Sequence, residues 1–317
     1  MTAEVNPPKP RENGERAGAM RRAIKKWADC GVDAVNITDS PSGVLRMESI
    51  EAAEKVKDLL ESTKLEGTLK DIGIEFIVQK VCRGVERANV KPEILDKLDS
   101  IEEFRHVLAL TGDAPRPTII NKHGDHTGLN STRLLEAATD EFGCFHLGAA
   151  AFLETEPWEA QFARICEKVE KGARFFQTQG VMDVNDKVIE RIKQIKALDV
   201  KVIVGVFILG SSDSIGLIKG LEGIDIRDEN PILERLRKSK GGYKTGTEFR
   251  REAIKIATEQ ALALVKPADG IHLMTFGPID DGVKVYKNAG LRDEQTIHKT
   301  NSKLSSTTQE RIEMIAI

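Results

Sequence analysis

The sequence predicts an α/β fold, a (β/α)8 TIM barrel, on three observations. Short β-branched runs alternate with long amphipathic segments along the chain, the order of a parallel sheet wrapped by helices. About eight such strand–helix units can be counted, the number that closes a barrel. No strand is followed by the G-x-G-x-x-G turn of a doubly wound dinucleotide-binding sheet; the first runs into Asn6-Pro7-Pro8-Lys9. The 317 residues exceed the roughly 250 of a minimal barrel, which leaves length for an insertion and a tail.

In order, Thr2–Val5 reads as a strand that stops at the prolines. Glu12–Cys30 reads as a helix closed by Gly31, a residue suited to the left-handed conformation after a last helical turn. Asp33–Thr38 is a strand, and after a Pro/Gly turn Met47–Ser62 is a helix. Ile74–Val78 is the third strand and Pro92–Ser100 a short helix. His106–Thr111 is the fourth strand, followed by a long polar loop to about Asn130. The remaining pairs are helix Ser131–Phe142 with strand Cys144–Ala149, helix Pro157–Lys171 with strand Arg174–Thr178, and helix Lys187–Leu198 with strand Lys201–Phe207. Helix Thr247–Val265 and strand Gly270–Met274 come last. Glu222–Tyr243 reads as an insertion near the seventh and eighth units, an exposed loop with a short helix. The barrel is expected over residues 1–290 and a polar C-terminal tail over 291–317.

Composition narrows the function classes. Lys plus Arg is 47 and Asp plus Glu is 50, a formal charge of −3, so nucleic acid is not held by bulk charge. The longest apolar run, Val202–Leu209, is far short of the ~20 residues that span a bilayer. The first residues carry neither a basic region nor an apolar core, unlike a signal peptide. Cys30, Cys82, Cys144 and Cys166 form no Cys-x-x-Cys pair, which suits a reducing cytoplasm. Cys30 and Cys166 read as small core residues within helices.

A barrel of this kind gathers its functional residues where strands end. The strand ends here are Glu4, Thr38-Asp39, Gln79, Thr111-Gly112-Asp113, Gly148-Ala149-Ala150 and Gln177-Thr178-Gln179. Two carboxylates, Glu4 and Asp113, and two amides, Gln79 and Gln179, are thus expected at one mouth. One carboxylic acid can donate a proton while a second, ionised, stabilises a cation. Gln179 offers donors and an acceptor to a flat heterocycle. Ala149-Ala150-Ala151 lets a planar ligand approach the backbone. His123-Gly124-Asp125-His126 lacks a third fixed ligand at recognisable spacing, so no metal site is expected.

Several stretches fall in a characteristic order: Thr2–Lys9; Gly31–Pro41 with Arg46-Met47; Val107–Pro115; Leu147–Ala150; Lys168–Gln179 with Asp183; Val202–Val206; and Asp269–Met274. From residue 2 to about 290 this set resembles methylenetetrahydrofolate reductases. It most resembles the reductase half of bacterial corrinoid-pathway and homocysteine-methyltransferase fusions. The resemblance implies a barrel that binds a flavin, usually FAD, with FMN or a flavin-free form as alternatives, and takes its electrons from NADH, NADPH or another donor. It implies reduction of 5,10-methylenetetrahydrofolate to the 5-methyl form, in the cytoplasm, by a homo-oligomer or a complex with a partner subunit. Glu4 then matches the general acid, Asp113 the anion beside flavin and pterin, and Gln179 the folate-holding amide. Thr38, Gln79, Thr111, Gly112, Asp113, Ala149, Ala150 and Lys168 match cofactor-contacting positions. Gln79 and Gly84 stand where the family commonly carries His and Asp. A binding subunit without turnover of its own is the non-enzymatic alternative. A corrinoid-linked methyltransferase would need a nucleophile or a cobalamin contact, and neither is found.

Overall fold

The computed structural model describes residues 1–8, 14–39, 46–62, 74–83, 85, 89–99, 104–112, 129–141, 146–221, 224, 230–238 and 246–290. Eight parallel strands close in sequence order into a barrel. They are β1 (Thr2–Val5), β2 (Ala34–Ile37), β3 (Glu75–Val81), β4 (His106–Leu110), β5 (His146–Ala151), β6 (Phe175–Val181), β7 (Lys201–Leu209) and β8 (Gly270–Phe276). The barrel is sealed where Thr2 pairs with His272 and Ala3 with Leu273.

The helices are α1 (Gly14–Cys30), α2 (Ser49–Ser62), α3 (Asp96–Asp99, entered through a π-helical turn at Lys91–Leu95), α4 (Ser131–Glu141) and α5 (Trp158–Glu170). They continue with α6 (Asp186–Lys196), α7 (Ser212–Lys219), α8 (Pro231–Lys238), α9 (Gly246–Leu264) and α10 (Ile279–Asn288). Among the described residues no helix is long and apolar enough to cross a membrane.

The pleat sorts side chains between two cores. Ala3, Val5, Val35, Ile37, Val78, Val107 and Ala149 face outward and pack with Trp27, Ile50, Leu134 and Ile165 of the helices. The alternate positions Ala34, Ile77, Leu108 and Phe175 meet inside the barrel. That alternation is the period-2 geometry of a strand. Each large apolar side chain removed from water contributes roughly 1.5–3 kcal/mol, so the outer layer carries most of the stabilisation. Helix ends are tied locally: Asn185 accepts from Val188 N at 3.0 Å at the start of α6, and Gly31 ends α1 as expected.

Several expectations are corrected. β3 runs to Val81 and β6 to Val181, each three residues beyond the sequence-based end, and β5 runs to Ala151. The added residues are poor strand formers: Gln79 and Lys80 are held by the ladder to Leu108 and Ala109 of β4, and Gln179 lies in the irregularity of the β6–β7 ladder. The short helix expected within 222–243 is present as α8, packed rather than exposed. It buries Leu233 and Leu236 completely, against Ile215 and Ile218 of α7 and Phe249, Ala253 and Ile256 of α9. Helices α7 and α10 were not anticipated. Cys30 and Cys166 are half-buried rather than core residues, whereas Cys82 is buried. Asp113, the His123–His126 loop and the tail 291–317 lie outside the described residues.

Candidate active site at the C-terminal end of the barrel

Polar side chains occupy the lumen above the apolar layer. Asn36 Nδ2 donates to Gln177 Oε1 at 2.8 Å. β2 and β6 are not neighbours in the barrel, so this bond crosses the lumen. On the closing seam, Thr2 Oγ1 lies 2.8 Å from His272 Nδ1. His272 Nε2 lies 3.9 Å from Glu4 Oε2, with the Glu4 side chain 11% exposed. Asn36 Oδ1 and His272 Nε2 are buried without a protein hydrogen-bond partner. Buried polar atoms are normally satisfied, so these two are exceptions inside the lumen. Glu4 is level with Asn36 in the β1–β2 register and belongs to this lumen cluster, not to an N-terminal surface.

The β2–β4 rim is tightly bonded. Thr38 Oγ1 donates to Asn6 Oδ1 at 2.9 Å. Asp39, which burial pushes above the usual carboxylate range, accepts from Val81 N at 3.0 Å and faces Lys80 Nζ at 3.6 Å. Lys80 also bonds Glu48, which Lys97 reaches at 3.1 Å. Burial would raise Glu48, but the two lysines hold it below its ordinary value. Gln79 is buried and pairs with the lumen residue Leu108. Thr111 Oγ1 donates to Ser131 Oγ at 3.3 Å, and Arg83 Nε donates to Gly112 O at 2.9 Å. The Cys82 thiol, pushed up to about 12 by burial, donates to Leu110 O and is a structural group rather than a nucleophile.

β5 and β6 form the opposite rim. Lys168 of α5 donates from Nζ to Ala150 O at 2.8 Å. Burial, helped by Arg164, brings its ammonium down to about 8. Ala149 turns its methyl outward into the helix core, so only its backbone belongs to the rim. β6 carries one extra residue against β7: Gln177 pairs with Ile203 and Gly180 with Gly205. Such a bulge re-aims the residues within it, here Thr178 and Gln179. Thr178 Oγ1 fills the gap in the ladder by accepting from Gly205 N at 3.0 Å. Gly205 is required there, since a Cβ would meet Gly180 N at 2.7 Å and Gln179 C at 2.8 Å. Beyond the bulge, Glu154 accepts from Met182 N at 2.9 Å and Asp183 N at 3.1 Å. Burial nevertheless raises its carboxyl.

Glu4, Thr38, Gln79, Thr111, Gly112, Ala150 and Gln179 therefore all lie at or near the C-terminal ends of their strands, with Lys168 behind β5. His272, Asn36 and Glu154 were not singled out from the sequence, and Gln177 was named only as part of the β6 strand end. Their partners lie 270, 141, 141 and 28 residues away, and no local spacing announces them. Among the described residues no group of three His, Cys, Asp or Glu could hold a metal ion.

No curated protein matches this chain. An uncharacterised protein from Clostridium thermocellum, solved with two copies of 5-methyl-5,6,7,8-tetrahydrofolic acid, is 16% identical with a TM-score of 0.54, over 92% of this chain and 94% of that one. That similarity shows the fold. An aldo-keto reductase from Bombyx mori, solved with NADP, is 12% identical with a TM-score of 0.47, over 95% of this chain and 88% of that one. The family pattern described as methylenetetrahydrofolate reductase matches residues 1–290, the whole described barrel. The chain thus belongs to the methylenetetrahydrofolate reductase family.

Proposed function

We propose that this protein reduces a 5,10-methylene-tetrahydrofolate, or a related methylene-pterin, to its 5-methyl form by hydride transfer. The observation that carries this reading is Glu4. It stands in the barrel lumen, 11% exposed, beside His272, in a chain of the reductase family. A carboxylic acid so placed can give its proton to the amine nitrogen leaving the methylene carbon, which opens the ring to an iminium. Asp113 is proposed as the negative charge that stabilises that cation, and Gln179, re-aimed by the bulge, as the amide that holds the pterin. The folate bound to the Clostridium protein of the same fold supports the substrate class.

A flavin fits the β5 rim on one observation. β5 ends in Gly148-Ala149-Ala150-Ala151, with no side chain larger than methyl, and Lys168 brings a cation to Ala150 O there. Thr38, Gln79, Thr111, Gly112, Ala150 and Lys168 are the residues proposed to hold it. When bound, it supplies the hydride to the methylene carbon. The chain's own contribution is proximity, one proton and a fixed negative charge.

A second reading, direct transfer from NADH or NADPH without flavin, is favoured by Gln79, which stands where the family commonly carries a His.

The visible spectrum of the purified protein separates the two: a yellow protein bleached by its donor and reoxidised by methylenetetrahydrofolate supports the flavin form. A colourless protein that still makes the methyl product supports the second. No methyl product from NADH, NADPH or reduced flavin, with or without added FAD or FMN, overturns both.

A further inference from the structure

The seam that closes the barrel ends in a hydrogen-bonding chain aimed at Glu4. β1 sets Thr2 level with His272 of β8, and Thr2 Oγ1 lies 2.8 Å from His272 Nδ1. The ring is wholly buried, and its second nitrogen, Nε2, has no hydrogen-bond partner in the protein. A buried unpaired nitrogen is costly, and a purely structural position is better filled by an apolar side chain. The charged group facing Nε2 is Glu4, with Oε2 at 3.9 Å. At that distance the two groups face each other just beyond hydrogen-bond length. The other side chains that neighbouring strands bring to this level are neutral: Thr2 of β1, Asn36 of β2 bonded to Gln177 of β6, and Gly205 of β7.

We propose that His272 is a positioning residue for Glu4, donating from Nε2–H to the carboxylate that remains once Glu4 has given up its proton. Thr2 sets the tautomer: its hydroxyl donates to Nδ1, which leaves the ring proton on Nε2. The inference rests on reading Glu4 as the general acid. In that step the Glu4 O–H bond breaks as an N–H bond forms on the leaving amine. His272 keeps its proton throughout, and solvent reprotonates Glu4 before the next turnover. A donor held at the carboxylate fixes the direction in which Glu4 points.

Four substitutions and one spectrum test this. His272→Leu is expected to lower kcat about 10- to 100-fold with KM for methylenetetrahydrofolate changed less than about two-fold. His272→Gln, which retains a neutral donor at the Nε2 position, should recover most of the rate. Thr2→Val, which leaves the ring in place, should lower kcat by a smaller factor with KM unchanged. Equal losses in the Leu and Gln variants would reduce His272 to packing and overturn the proposal. Should both His272 variants fail to fold, a Thr2→Val kcat equal to the native value overturns it alone. If Glu4→Gln turns over like the native protein, the acid assignment itself fails. If Glu4→Gln is inactive while the seam variants are unaffected, only the positioning role fails. Histidine-labelled 15N NMR reads the contact without turnover. The Nε2 signal that disappears in His272→Gln should move in Glu4→Gln, and an unmoved signal overturns the contact.

Discussion

Glu4 is a short acidic side chain near the end of a four-residue strand, with apolar neighbours on either side in sequence. In isolation such a carboxylate belongs to a surface. Here the register with β2 and the buried ring of His272 bring it into the lumen. Replacement by Gln keeps shape and hydrogen bonding and removes the transferable proton. Glu4→Gln is therefore expected to lower the rate of methylenetetrahydrofolate reduction by about 10²–10⁴, while equilibrium binding of 5-methyltetrahydrofolate, followed by calorimetry, changes little. Loss of binding together with rate would assign Glu4 to substrate holding instead. Glu154 makes a contrasting case. It serves two backbone N–H groups after β6, so Glu154→Ala leaves donors unsatisfied. It should cost stability of about 1–3 kcal/mol in chemical denaturation.

At the scale of elements, the bulge in β6 and the helix α8 decide the shape of the rim. Gly205→Ala forces a methyl against the backbone of Thr178–Gly180. The expected result is a loss of about 1–3 kcal/mol of stability and weaker folate binding, since Gln179 sits in the displaced segment. A variant of native stability and native affinity would show that the bulge does not place Gln179. For α8, Leu233→Ala removes a wholly buried side chain from the contact with α7 and α9. It should cost about 2–5 kcal/mol and expose the segment around α8 to limited proteolysis before the barrel is cut. Glu4 and Gln179 were readable as candidates because each lies at a strand end that the hydrophobic period defines, whereas Lys168, within a helix, was a candidate only through the family resemblance. The bulge was not readable, because Gln177-Thr178-Gln179 has the same composition with or without an extra residue. Only the β7 partner shows the shift.

Across the whole molecule the two ends of the barrel differ in electrostatics. The end opposite the candidate site carries His106 stacked on His146, with ring centroids 5.0 Å apart, and Glu75 Oε2 3.9 Å from His106 Nε2. Burial, with the neighbouring His146, brings His106 down from 6.5 to about 4. Burial and Arg105 lower His146 too. Between pH 6.5 and about 4 the unfolded chain therefore binds a proton at His106 that the folded barrel does not. Stability contributed by the neutral ring is fully present above pH 6.5 and is lost as pH falls through that window, by about 3 kcal/mol at most. Denaturant titrations from pH 7 to 4 should show a shallower fall for His106→Gln than for the native chain. Parallel curves would place the acid sensitivity elsewhere.

The order and number of the strands, most of the helices between them, the near-neutral charge and the polar character of the strand ends were determined by the sequence alone. Period-2 and period-3.6 patterns are set by which face of each element must leave water, and that information lies in a few neighbouring residues. What only the tertiary structure decided is who faces whom inside the closed wall. Thr2 meets His272, Asn36 meets Gln177, and Glu154 ties down the exit of β6. Closure imposes these contacts by strand register and by one extra residue in β6. Register is a property of paired strands rather than of either strand alone.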